Sequence, residues 1–278
     1  MSTNHLNDSR GVSSPHGVRL ARREFLGMLA LAPTSAGRLL RFVMRSRDHA
    51  QGGDSAALLH AAPHKPSSGL APGMHDLNSL GAKANLYIPA SYSADRPTPV
   101  LVLLHGAAHD RNELMQPPLL AEYDRAGVIV LSPDSTGGTW DMIRGEFGPD
   151  VRLIDAALDV VFGHCNVDPS RIALGGFSDG ATYALALGLA NGTLFSALLV
   201  FSPGFLAPLK PRGQPRIFIA HGTEDPVLSA ANTRASIVPR LRADGYDVVF
   251  EAFRGVHGIY LAEVTNGLKW FLPGSRPG

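Results

Sequence analysis

The sequence predicts an α/β fold: a mostly parallel sheet with helices on both faces. Three observations carry that expectation. Short, nearly continuous apolar runs recur, as in PVLVLLHG (99–106), GVIVLSP (127–133), RIALGGF (171–177), ALLVFSP (197–203) and PRIFIAHG (215–222). Segments with apolar residues at helical spacing lie between them. Glycine and proline punctuate the junctions. Strands that are apolar on both faces and alternate with helices belong to parallel sheets covered on each side.

Taken in order, NLYIP at 85–89 is a short strand, and 99–106 is a buried strand ending at a glycine. PPLLAEYDRAG (117–127) is a helix with proline near its start and Gly127 at its end. The strand at 127–133 follows. In 149–163, Leu153, Ile154, Ala157, Leu158 and Val161 share one helical face. The strand 171–177 leads into a small-residue helix, 180–190, and then the strands 197–203 and 215–222. Residues 229–244 are helical in pattern, with Pro239 expected to kink or interrupt them. YDVVFEAF (246–253) is a strand and IYLAEVTNGLKWFL (259–272) a closing helix.

The first 75 residues differ. They hold eight arginines against four acids, and 48–75 is rich in Gly, Pro, Ser and Ala without sustained periodicity, as in a linker. ARREFLGMLALAPTSAG (21–37) pairs two arginines with a short apolar stretch. It resembles a twin-arginine export signal. Export to the periplasm or beyond is the expectation, with a cytoplasmic protein as the alternative. The domain division expected is an arm over 1–75 and a globular unit over 76–278. Net charge is +1, which gives no electrostatic argument for nucleic acid. The single cysteine, Cys165, excludes an intramolecular disulfide and reads as a small buried hydrophobe. No apolar run reaches the ~18 residues of a spanning helix.

In open parallel sheets the site gathers beyond the carboxyl ends of the strands. Four polar clusters sit there: His105-Gly106-Ala107-Ala108, Gly176-Phe177-Ser178-Asp179-Gly180, His221 to Pro226, and Gly255 to Gly258. The second has the pattern G-x-S-x-G between a buried strand and a helix, the setting of a nucleophile elbow. Such a turn lifts the serine hydroxyl clear of the backbone and aims helix N-terminal N–H groups at a developing oxyanion. A serine hydroxyl needs a base. Only His221 and His257 follow Ser178. The chain order serine, acid, histidine leaves His221 with nothing but Asp179, an elbow residue. His257 is therefore the candidate base. Asp225, in a loop just after a strand, is the best-placed acid, with Glu224 the runner-up. His105 falls in the wrong order for a base. It reads as a brace for the loop that would present the Ala107 N–H, beside that of Asp179, to an oxyanion.

The set LLHGAAHD, GGFSDGA, IAHGTEDPV and FRGVHGI resembles the α/β-hydrolase superfamily. It is most similar to the compact phospholipase/carboxylesterase-like branch, which includes acyl-protein thioesterases and depolymerase- or feruloyl-esterase-like enzymes. The resemblance covers about residues 84–272. It implies an α/β-hydrolase catalytic domain. Its nucleophile would be Ser178, its orienting acid Asp225 and its base His257, with the Ala107 and Asp179 amides as oxyanion donors. The function implied is hydrolysis of carboxylic esters through an acyl-enzyme. A thioesterase or peptidase of the same fold is the alternative, and a non-catalytic binding protein a more distant one.

The loop 137–150 could wall an acyl pocket through Trp140 and Met142, with Phe177 beside the serine; a packed loop with a buried tryptophan is the other reading. Residues 203–214 are too short for a large lid domain. No phosphate-binding glycine loop, H-E-x-x-H or CxxC pattern occurs. Neither cofactor nor metal is implied, and the expected partner is a small-molecule ester.

Overall fold

The computed structural model describes residues 53–273. The export-type pattern at 21–37 lies outside the described residues. Among those described, eight strands form one sheet: β1 (Gly73–Asp76), β2 (Ala84–Ile88), β3 (Thr98–Leu104), β4 (Ile129–Pro133), β5 (Val167–Phe177), β6 (Ala197–Phe201), β7 (Arg216–Gly222) and β8 (Val248–Phe253). Their spatial order is β1-β2-β4-β3-β5-β6-β7-β8. β2 runs antiparallel to both its neighbours. The six strands from β4 to β8 are parallel. The principal helices are α1 (Pro117–Ala126), α2 (Pro149–His164), α3 (Asp179–Ala190), α4 (Val238–Ala243) and α5 (Leu261–Phe271).

The period of two along each strand divides the core. Val100, Val102 and Leu104 of β3 enter one cluster, with Ile154 and Leu158 of α2, Leu185 of α3 and Leu241 of α4. Leu101 and Leu103 enter the other, with Leu119 and Tyr123 of α1 and Val264, Leu268 and Phe271 of α5. Helices thus cover both faces, which is why the central strands read as unbroken apolar runs. α3 is buried from Gly180 to Ala190, so its sequence has no polar face.

The expected elements are present with shifted ends. β5 begins at Val167, four residues early, and β8 at Val248 rather than at 246. α1 ends at Gly127 in the left-handed conformation, φ 63°. Just before Pro239 the α-helical run is interrupted, as expected, but the helix does not end there. The turn Thr233–Ile237 is π-helical, and Val238 N–H donates to Thr233 O, five residues back. This one-residue widening precedes a residue that has no N–H to give, and helix resumes at Val238.

Part of the stretch read as a linker lies against the domain. Ala57 is fully buried, and its carbonyl accepts from Asn191 Nδ2 at 2.7 Å. The His60 and Ala61 amides both donate to Asp155 Oδ1 at 2.8 Å. The boundary expected at residue 75 falls inside β1, which pairs with β2. On the side of this stretch the hydrogen bonds use backbone groups, so residue type does not announce them. No helix of the described residues is long and apolar enough to cross a membrane.

Candidate active site

The parallel strands end along one edge, and the sequence-predicted residues gather there. Ser178 follows β5 with φ 57° and ψ −119°, a strained backbone for a residue with a side chain. Ala108 and Ser202 are the other non-glycine residues of positive φ among those described, at 59° and 56°. They follow β3 and β6, the two neighbours of β5, so the strain is concentrated around the serine. The elbow requires its glycines. A Cβ on Gly180 would lie 2.2 Å from Leu104 O and 2.4 Å from His105 O. One on Gly176 would lie 2.6 Å from the Gly180 backbone. The start of α3 therefore sits directly on the end of β3.

His257 Nε2 lies 2.8 Å from Ser178 Oγ, and its Nδ1 lies 2.7 Å from Asp225 Oδ2. With Nδ1–H donating to the carboxylate, Nε2 accepts from the serine hydroxyl. The imidazole packs on Phe177, ring centroids 4.7 Å apart. The Asp225 side chain is completely buried and accepts on both oxygens. Oδ1 takes the Val227 and Leu228 amides at 2.8 and 2.9 Å. Oδ2 takes His257 and, at 3.2 Å, His221 Nε2. Burial by itself would raise this carboxyl. The histidine and Leu228 hydrogen bonds outweigh it and hold the group far below the usual carboxylate range. Glu224, the runner-up acid, points away and pairs with Arg254 on the surface.

His221 is a second histidine on the same carboxylate. Its Nε2 faces two acceptors, Asp225 Oδ2 and Leu228 O at 3.0 Å, so that nitrogen carries the proton. Nδ1 then accepts from the Thr233 hydroxyl at 2.9 Å. His221 is not free to act as a base, and it fixes the acid loop.

The predicted oxyanion segment abuts the serine: a Cβ on Gly106 would lie 3.5 Å from Ser178 Cβ. His105 is buried and braces the loop. Its Nε2 accepts from Ser135 N at 3.1 Å, which leaves Nδ1–H to donate to Gly106 O at 2.8 Å. The Ala107 and Asp179 amides have no partner among the described residues. The Asp179 carboxylate is turned aside, accepting from Thr139 Oγ1 at 2.7 Å.

Trp140 and Met142 do not wall a pocket. Both are closed into the core, at 0% and 1% exposure. The Trp140 indole N–H donates to His105 O at 2.8 Å, and its ring packs between His105 and Tyr183. A buried indole N–H needs an acceptor, and the carbonyl at the end of β3 supplies it. Phe177 alone of the three pocket candidates touches the site. Cys165 is buried, and burial pushes its thiol up to about 12.

Three further features lie around the site. Glu113, seven residues past Gly106, accepts the Gly106 amide at 2.6 Å. Asp141 and Asp150, both buried, cap each other's amides at 2.7 and 2.8 Å. They anchor the loop that carries Trp140 and Thr139. Ser202 follows β6 in a left-handed conformation. None stands in a motif, since each depends on how the loops lie across the sheet edge. Among the described residues no group of three or more His, Cys, Asp or Glu side chains is placed to hold a metal ion.

The model of the phospholipase/carboxylesterase family matches residues 149–265, the part that carries the serine, the acid and the histidine. A probable feruloyl esterase C of Aspergillus niger is 30% identical over 166 residues, 57% of this chain and 60% of the relative. An acyl-protein thioesterase 1 of Gibberella zeae is 31% identical over 118 residues, 39% of this chain and 50% of the relative. The chain thus spans about 60% of the length of the feruloyl esterase it matches. The solved S-formylglutathione hydrolase of Staphylococcus aureus superposes with a TM-score of 0.55 at 15% identity. The superposition covers 68% of this chain and 92% of that one. At that identity the likeness concerns the fold.

Proposed function

We propose that this chain, whose fold is that of the α/β-hydrolases and whose sequence resembles their phospholipase/carboxylesterase branch, is a serine esterase. It would hydrolyse carboxylic esters through an acyl-enzyme. One observation supports this most: the unbroken hydrogen-bond chain from Ser178 through His257 to Asp225, next to two unengaged amides.

In this reading His257 Nε2 takes the Ser178 proton as Oγ attacks the ester carbonyl. Asp225 holds the imidazole in the tautomer that can accept that proton, then stabilises the imidazolium. The Ala107 and Asp179 N–H groups receive the oxyanion. His257 returns the proton to the departing alcohol. A water activated by the same nitrogen then attacks the acyl-enzyme and frees the acid. The acid's low affinity for protons keeps it a carboxylate through the cycle.

The feruloyl esterase relative makes hydroxycinnamate esters the first class to assay, and the thioesterase relative makes thioesters the second. Among the described residues the connection between β6 and β7 is short and no lid domain covers the edge, which favours an accessible ester. The test compares p-nitrophenyl esters of graded length, methyl ferulate and an acyl thioester. Hydrolysis of the oxygen esters, lost in Ser178→Ala, is expected. No ester hydrolysis by folded protein would overturn the reading.

A further inference from the structure

Three consecutive amides lie in the loop after β3 whose Gly106 abuts Ser178, and the structure treats them differently. Gly106 N–H donates to Glu113 Oε2 at 2.6 Å. Ala108 N–H donates to Gly138 O at 2.7 Å. Ala107, between them, has no partner among the described residues. The outer two amides are tied and the middle one is not. One tie is a backbone carbonyl. The other is a side chain that did not have to be an acid.

Glu113 is an unusual choice for that place. Its side chain is only 13% exposed, and burying a carboxylate costs free energy unless it is well paired. Burial indeed pushes its carboxyl up, against the pull of the Gly106 N–H and of His109, His105 and His257. His109 Nδ1 stands 3.5 Å from Oε1. An amide at the rim of a site could be satisfied by water. A water would not fix it to a few tenths of an ångström.

We propose that Glu113 is a positioning residue of the oxyanion site. Its carboxylate fixes the Gly106 amide and so sets where the Ala107 N–H stands beside Ser178. The inference rests on the acyl-transfer reading above. Glu113 touches neither substrate nor the reacting atoms. It acts through the loop, and its effect falls on the state in which negative charge develops. A displacement of about 1 Å in such a group costs up to about 10²-fold in rate, and loss of one oxyanion donor costs about 10²–10³-fold.

The test separates hydrogen bonding from charge. Glu113→Asp keeps the charge but withdraws the acceptor by one methylene. Glu113→Gln keeps an acceptor oxygen at full reach. For both variants kcat and KM are measured on a p-nitrophenyl ester, per Ser178 site titrated with a fluorophosphonate. The inhibition constant of an alkyl trifluoromethyl ketone, whose adduct carries the oxyanion, is measured alongside. Glu113→Asp is expected to lose about 10- to 100-fold in kcat with KM within about twofold. Ketone affinity should fall in parallel. Glu113→Gln should stay within about threefold of wild type on both readouts, because its oxygen still reaches Gly106. Wild-type kcat in Glu113→Asp overturns the proposal, and so does an equal loss in both variants with ketone affinity unchanged. A wild-type protein without esterase activity overturns the acyl-transfer reading instead, so the two failures are distinguishable.

Discussion

Replacing Asp225 by asparagine should disable the site by a route that can be followed atom by atom. The wild-type carboxylate accepts four hydrogen bonds: two from backbone amides on Oδ1 and two from histidines on Oδ2. Asparagine offers one acceptor oxygen and one NH2 donor. The Val227 and Leu228 amides can only donate, so the oxygen must face them. The NH2 then faces His257 Nδ1 and His221 Nε2, both of which donate in the wild type. His257 must move its proton to Nε2, and in that tautomer it cannot take a proton from Ser178. His221 must likewise give up its bond to Leu228 O. A wrong tautomer of this kind costs about 10⁴ in kcat, or about 5 kcal/mol of transition-state stabilisation. The assay is kcat on a p-nitrophenyl ester, with the fold checked by circular dichroism and thermal unfolding. A folded Asp225→Asn protein within tenfold of wild-type kcat would refute the reasoning.

Three further outcomes follow from the same contacts. Gly180→Ala would put a methyl within 2.2 Å of Leu104 O, a backbone atom with little room to retreat, so a stability loss of at least about 1–3 kcal/mol is expected in urea unfolding. Stability should also depend on acid through Asp225. Its folded-state pKa lies below the unfolded value of about 3.9, so its contribution is complete above that pH and is lost as pH falls through the folded pKa. Urea midpoints of wild type and Asp225→Asn should therefore converge as pH drops below about 4, and a gap that widens on acidification would contradict this. Cys165, with its thiol raised to about 12, should resist iodoacetamide in the native protein at pH 8 and react once unfolded, as mass spectrometry would show.

The parallel sheet was legible because its strands are buried on both faces, which leaves a mark in the sequence that half-exposed strands do not. The hydrogen-bonded trio of Ser178, His257 and Asp225 could be picked out by order: a serine on a strand-to-helix turn, few histidines after it, and one acid well placed between. What packs from a distance left no such mark. Gly73–Asp76 joins the sheet through backbone pairing, and its residues, GMHD, have too little apolar character to mark a strand, although their burial alternates. Glu113 and the Asp141–Asp150 pair matter because loops bring them to amides, and loop paths are not written in residue spacing. Trp140 shows the limit of residue type. A tryptophan in a loop near a site suits a pocket or a core equally, and the His105 carbonyl awaiting its N–H decides for the core. Pro239 is expected to kink or interrupt its helix, and it does so through one π turn that absorbs the missing donor without ending the helix.

The central claim is that Ser178 is a nucleophile made reactive by His257. The most direct measurement is mass spectrometry of the native protein after brief exposure to a fluorophosphonate, beside Ser178→Ala and His257→Gln variants shown to be folded. The account predicts one adduct, on the peptide containing Ser178, absent from the serine variant and formed far more slowly in the histidine variant. Folded wild-type protein with no adduct, or with its adduct on another serine, would contradict it.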